Sequence, residues 1–115
     1  MTQVFNPVDV EQAIRQVSTQ ISKNVLFADQ EYRKFLTADH LYDLAFARAY
    51  MAHKGPAHEK RYAAELATEQ ERSDRDVAEA AYRYADRQAK ALDAELRSWQ
   101  SVGASVRSMF TGAGV

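Results

Sequence analysis

The chain has 115 residues and no cysteine, and it sets fifteen Lys and Arg against sixteen Asp and Glu for a formal charge of −1. Near neutrality there is no global basic field of the kind that gathers nucleic acid, and without thiols there is neither a disulfide framework nor a thiolate metal site. Four glycines and two prolines leave little turn vocabulary, which argues against a β protein and for one all-α domain of long helices over 1–115.

Asn6-Pro7 reads as a helix start, with the Asn6 amide able to cap free N–H groups and Pro7 placed where a missing N–H costs nothing. Val10, Ile14, Val17 and Ile21 then return at helical steps of four, three and four. Ser18, Thr19, Ser22 and Asn24 weaken the pattern, and a kink or short loop is expected near Lys23-Asn24. Leu26 and Phe27 restart the apolar signal, and Asp29 can begin a second helix running to about His53. That segment carries Tyr32, Phe35, Leu36, Tyr42, Phe46, Ala49 and Tyr50, whose rings bury large areas. Gly55-Pro56 stops it, placing a turn near 54–57.

Residues 57–110 contain no proline, and their first glycine is Gly103. Alanines crowd 63–94 among Glu, Arg, Lys, Gln and Leu, the strongest helix formers. Leu92, Leu96, Trp99, Val106 and Phe110 form an apolar stripe that Val77, Ala81, Tyr84 and Ala85 extend backwards. The expected fold is a long helical hairpin, one or two N-terminal helices packed antiparallel on one long C-terminal helix, with a flexible tail at 111–115. Phe35 should then lie near Val77, and Ile14 near Leu96 and Trp99. One hairpin leaves apolar surface open, so Leu92, Leu96, Trp99, Val102, Val106 and Phe110 are expected to join copies of the chain in a homo-oligomer.

Two basic groups are candidates for phosphate contact. Arg83, Arg87, Lys90 and Arg97 form a ridge opposite the apolar stripe, and Lys54, Lys60 and Arg61 crowd the turn beside His53 and His58, with Glu59 opposing. The plain alternative for the ridge is a solvated helix face, since Glu79–Arg83, Asp86–Lys90 and Asp93–Arg97 are acid-before-base pairs four apart. His53 and His58, five apart across a proline, do not have the spacing of a helical metal pair. Tyr82, off the apolar stripe, is the best tyrosine for stacking on an unpaired base, and the others read as packing. No nucleophile elbow, P-loop or glycine-rich dinucleotide loop is present, so neither catalysis nor a cofactor is expected. No apolar run nears the roughly 20 residues of a membrane span, polar residues follow Met1, and a soluble cytoplasmic protein is expected.

The stretches EYRKF, AFARAYMA and AAELATEQERSDRDVAEAAYRYADRQAKALDAELRSWQSVGASVR, together about residues 30–108, resemble small phage proteins related to the UvsY-type recombination mediators. The piece WQSVGASVR within residues 96–107 is the most distinctive. The resemblance implies a small, helical, self-associating protein that binds single-stranded DNA in the host-cell cytoplasm. It also implies help in loading a recombinase onto DNA coated by single-strand-binding protein. Weak basic sites repeated around an oligomer would supply avidity. The alternative from another class is a helical structural or adaptor protein that acts on protein partners through its apolar stripe.

Overall fold

A computed structural model describes residues 5–113 of the chain. The fold is an all-α helical hairpin, with no strand among the described residues. Helix α1 spans Pro7–Ala52, a 3-10 turn covers Ala57–Glu59, and α2 and α3 span Lys60–Ala67 and Glu69–Ala113.

The start of α1 follows the local chemistry. The Asp9 N–H donates to Asn6 Oδ1 at 2.9 Å and the Val10 N–H donates to the Asn6 carbonyl at 3.2 Å, so Asn6 caps the helix with Pro7 in its first position. No loop interrupts the helix near Lys23-Asn24, contrary to that part of the expectation from sequence: α1 runs unbroken for 46 residues. Within the polar run two hydroxyls find partners inside the helix. Thr19 Oγ1 donates to the Arg15 carbonyl at 3.0 Å and Ser22 Oγ to the Ser18 carbonyl at 3.2 Å, while Asn24 is buried.

The break lies on the other arm. The expected continuous helix over 57–110 is divided at Thr68, whose backbone leaves the α region at φ −119° and ψ 24°. Its hydroxyl donates to the Ala64 carbonyl at 2.7 Å, and its own carbonyl accepts the Arg72 N–H at 3.0 Å to open α3. Thr68 and Ala64 are both buried, so the break is an ordered feature. At the turn, the Glu59 N–H donates to the Pro56 carbonyl at 3.0 Å. Gly55 does not need a positive φ, as no glycine has one among the described residues. A Cβ there would meet the His53 ring and come within 2.7 Å of Glu59 Oε2, the ends of two partly exposed side chains that can turn aside. Helix α3 continues through 111–113 of the expected tail, and residues 114 and 115 lie outside the described ones.

The contacts resolve two compact units. One combines the described residues up to Phe27 with those from Asp86 onward, and the other is Ala28–Ala85. In the first, the covered positions of α1 include Val10, Ile14, Val17, Ile21 and Asn24, and those of α3 include Ala89, Leu92, Leu96, Trp99, Gly103 and Val106. In the second, Ala28, Glu31, Phe35, Ala38, Tyr42, Ala45 and Ala49 are covered, with Glu71, Arg75, Ala78, Tyr82 and Ala85 of α3. All of these sets step by four and three alternately, the seven-residue repeat of a coiled-coil seam. Each unit contains a segment of α1 and a segment of α3 that carry this repeat, and the Ala28–Ala85 unit adds the turn and α2.

Close approach is visible at Gly103, which is buried and whose added Cβ would sit 3.1 Å from Val10 Cγ1. Phe5 meets Trp99 edge-on at 5.3 Å in the same unit. Leu92, Leu96, Trp99 and Val102 are half-buried and Val106 is 7% exposed, so the chain itself covers most of the stripe expected to await a second copy. Phe110, in contrast, is exposed. Val77 and Tyr84 are exposed too, because the repeat passes through Arg75, Ala78 and Tyr82 instead. Phe35 lies by Arg75 and Tyr82, at the level anticipated for Val77 but against different side chains. Replacing Gly103 with Leu should force the helices of this unit apart and lower unfolding stability by about 1–3 kcal/mol, the usual cost of overpacking. Chemical denaturation followed by circular dichroism measures it, and stability equal to the parent would show that Gly103 does not set the approach.

Candidate functional site

The best-connected polar group lies in the Ala28–Ala85 unit and is not among the residues singled out from sequence. Arg75 Nε donates to Asp39 Oδ1 at 2.5 Å across the seam, and Arg75 Nη1 lies 3.7 Å from both Asp76 Oδ1 and Glu79 Oε2. Its guanidinium sits 5.6 Å from the centre of the Phe35 ring, a cation–π distance. The Asp39 hydrogen bond, with the charges of Asp39, Glu79 and Asp76, holds its pKa above the ordinary arginine value against the lowering effect of desolvation. Stability from a raised pKa is fully present below the unfolded value and lost only as pH rises through the folded one. Arg75 therefore stays charged from acid to alkaline conditions. The signal available in the sequence was the repeat itself, since Arg75 falls four after Glu71 and three before Ala78.

Tyr82 belongs to the same cluster, which corrects its reading as an exposed stacking residue. Its ring lies 4.9 Å from Tyr32 and 6.2 Å from Phe35, nearly parallel to the latter, and is half-buried. Tyr32 of the same cluster is exposed, as are Tyr50, Tyr62 and Tyr84.

The basic candidates divide by whether an acid already holds them. In the Ala28–Ala85 unit, Arg83 donates twice to Glu79 Oε1, at 3.0 and 2.8 Å, and Glu79 thereby links Arg83 to the Arg75 cluster. Arg61 Nε donates to Glu65 at 3.1 Å, and Lys60 lies over the Tyr50 ring at 5.8 Å. Lys54 is exposed and enters no ion pair among the described residues. The acid at the turn, Glu59, faces His53 at 3.3 Å. Between Asp43 and Glu65 the chain carries Arg48, Lys54, Lys60 and Arg61 against Glu59 alone, so the turn has a local positive excess. No group of three metal-ligating side chains occurs among the described residues.

In the other unit Lys90 pairs with Asp86 at 3.4 Å. Arg87 and Arg97 are exposed and make no ion pair among the described residues, so the expected Asp93–Arg97 pair is not formed. The pairs that do form on the exposed helix faces are weak, worth at most about 1 kcal/mol each, and can open to a competing anion.

Apolar surface is the other prominent feature. The buried apolar side chains among the described residues are Val10, Val17, Ala64, Ala85 and Val106, whereas sixteen large ones stay exposed. Leu36, Leu41, Leu44, Met51, Leu66 and Val77 are examples in one unit, and Val25, Leu26, Met109 and Phe110 in the other. No described helix is long and apolar enough to cross a membrane. No protein-family model, curated protein or solved structure matches the chain.

Replacing Arg75 with Ala should lower the thermal midpoint throughout the neutral range, because the group does not titrate there. Arg75→Lys, which keeps charge but loses the planar fork, should fall between the two. A lysine variant as damaged as the alanine one would assign the effect to guanidinium geometry alone.

Proposed function

We propose that the chain is a non-enzymatic mediator of DNA recombination that binds single-stranded DNA as a homo-oligomer. The observation that carries this reading is a group of exposed cations that enter no ion pair among the described residues, of which Lys54 at the turn and Arg87 and Arg97 on α3 are the ones singled out from sequence. They are joined by Arg61, Arg83 and Lys90, whose acid partners lie in exposed, easily exchanged pairs. The recombination step itself, loading of a recombinase onto DNA coated by single-strand-binding protein, follows from the resemblance of residues 30–108 to UvsY-type mediators. Assembly supplies what a chain of charge −1 lacks, many weak phosphate contacts on one particle. Phe110, near the end of α3, is the self-association candidate that one chain leaves exposed, and Met109 beside it is exposed too. Leu92, Leu96, Trp99, Val102 and Val106 contribute by shaping the arm that carries them. The setting is the cytoplasm, of the host cell if a phage encodes the chain.

A second reading, a helical adaptor acting only on protein partners, is favoured by the exposed apolar side chains and by the acid partners of Arg83, Lys90 and Arg61. Titration of a labelled single strand at several salt concentrations separates the two. For the mediator, affinity falls steeply with salt, and each phosphate-contacting cation replaced by Ala makes the log–log slope shallower by about 0.7. Arg87→Ala and Arg97→Ala should weaken binding more than Arg83→Ala, because Arg83 is shared with Glu79. Lys54→Ala/Lys60→Ala/Arg61→Ala tests the turn independently. Light scattering should report several times the 13.0 kDa of one chain. A monomer, or a strand affinity indifferent to all these substitutions, gives the case to the adaptor.

A further inference from the structure

In the unit formed by the two ends of the chain, a groove of about 600 Å³ opens between α1 and α3. Its floor is apolar, from Pro7, Val10 and Ile14, with the bare backbone of Gly103 between the helices. Its polar lining, here called the rim, is Arg15 and Glu11 from α1 and Gln100 and Arg107 from α3. Arg107 is exposed and makes no ion pair among the described residues, while Arg15 Nη2 pairs with Glu11 at 2.7 Å, both side chains well exposed. With one carboxylate against two guanidiniums, the rim carries a net single positive charge. The volume falls within the about 300–1,000 Å³ of small-ligand sites.

We propose that this groove seats one nucleotide of a single strand, its base on the Pro7–Val10–Ile14 floor and its phosphate between Arg15 and Arg107. The match is one of charge and shape. Each nucleotide brings one negative charge and one flat, largely apolar body, and the rim and floor offer one net positive charge and an apolar surface. The guanidinium fork suits phosphate oxygens, and the Gln100 amide can donate to or accept from a base edge. Because the groove is open, the strand can enter and leave it without its ends being enclosed. Glu11 is then a brake, since it holds Arg15 that the phosphate would otherwise engage. This inference rests on the single-strand-binding reading but places the contact away from the α3 ridge and from the turn.

The test uses the full chain and a fluorescent oligothymidylate, with anisotropy read at several salt concentrations. Arg15→Ala/Arg107→Ala should weaken binding and make the salt slope shallower by about 1.4, or about 0.7 for each cation. Glu11→Gln should tighten binding, a gain that damage to folding does not produce, and circular dichroism confirms that each variant keeps its helicity. An abasic strand of the same length should bind more weakly than oligothymidylate to the parent, and the difference should shrink in Ile14→Ser. Parent binding that persists unchanged in the double variant overturns the groove while leaving the ridge and turn to carry the function. No binding by the parent overturns both. Equal affinity for abasic and thymidylate strands removes the floor from the site and overturns the proposal. Arg107-dependent binding of an acidic aromatic peptide in preference to the strand reassigns the groove to a protein partner, and also overturns it.

Discussion

Small side chains at a seven-residue repeat are the constraint on which the rest of this molecule depends. Ala28, Ala38, Ala45 and Ala49 on α1, and Ala78, Ala85, Ala89 and Gly103 on α3, let helical segments approach closely within each unit. Close approach gives many van der Waals contacts but little buried volume, because each contact is individually small and the side chains are short. The result is a seam without one large, fully buried side chain among the described residues. Specific order must then come from the few positions that are not small. Val10, Val17 and Val106 supply it in one unit, and the Tyr32–Phe35–Tyr82 rings with Arg75 in the other.

A thin seam displaces the larger apolar groups outward. Leucines and aromatics that would form the centre of a globular domain stand on its flanks, where water meets them. Such a surface is costly to leave bare, and patches of this kind are where proteins meet other molecules. The charged residues follow a parallel logic. Those nearest the seam, Arg75, Asp39 and Glu79, are committed to one another, and those on the outer faces hold their partners loosely or not at all. Tightly paired and loosely paired charges are thus sorted by distance from the seam, not by position in the sequence.

The sequence made the hairpin legible because its signals were local and strong. Asn6-Pro7 and Gly55-Pro56 act through backbone chemistry that needs no tertiary context, and Val10, Ile14, Val17 and Ile21 declare their face by size. Legibility failed where tertiary context overrode propensity. The Ser and Thr residues before Asn24 looked like a break, but the helix runs through them, and Thr19 and Ser22 bond to preceding carbonyls inside it. Thr68, in a run of good helix formers, is where the ladder does break. Val77 and Tyr84 were drawn into the covered face because they are large, whereas the seam prefers Ala78 beside the long stem of Arg75. Of the candidate site, the i,i+4 pairs of Arg83 and Lys90 were readable, since they depend on spacing alone. The absence of an Asp93–Arg97 pair and the groove around Gly103 depend on side-chain placement that spacing does not encode.

The interruption at Thr68 has a bearing on motion. Helix α2 has eight residues, fewer than an isolated helix needs to hold together in water, and its hydrogen-bond ladder is not continuous with that of α3. Opening of the turn and α2 need not therefore unwind the 45 residues that follow. Local opening of His53 to Ala67 is then expected to cost less than opening of the arms, and their amides to exchange faster. Thr68, buried and bonded to Ala64, marks where that local opening stops.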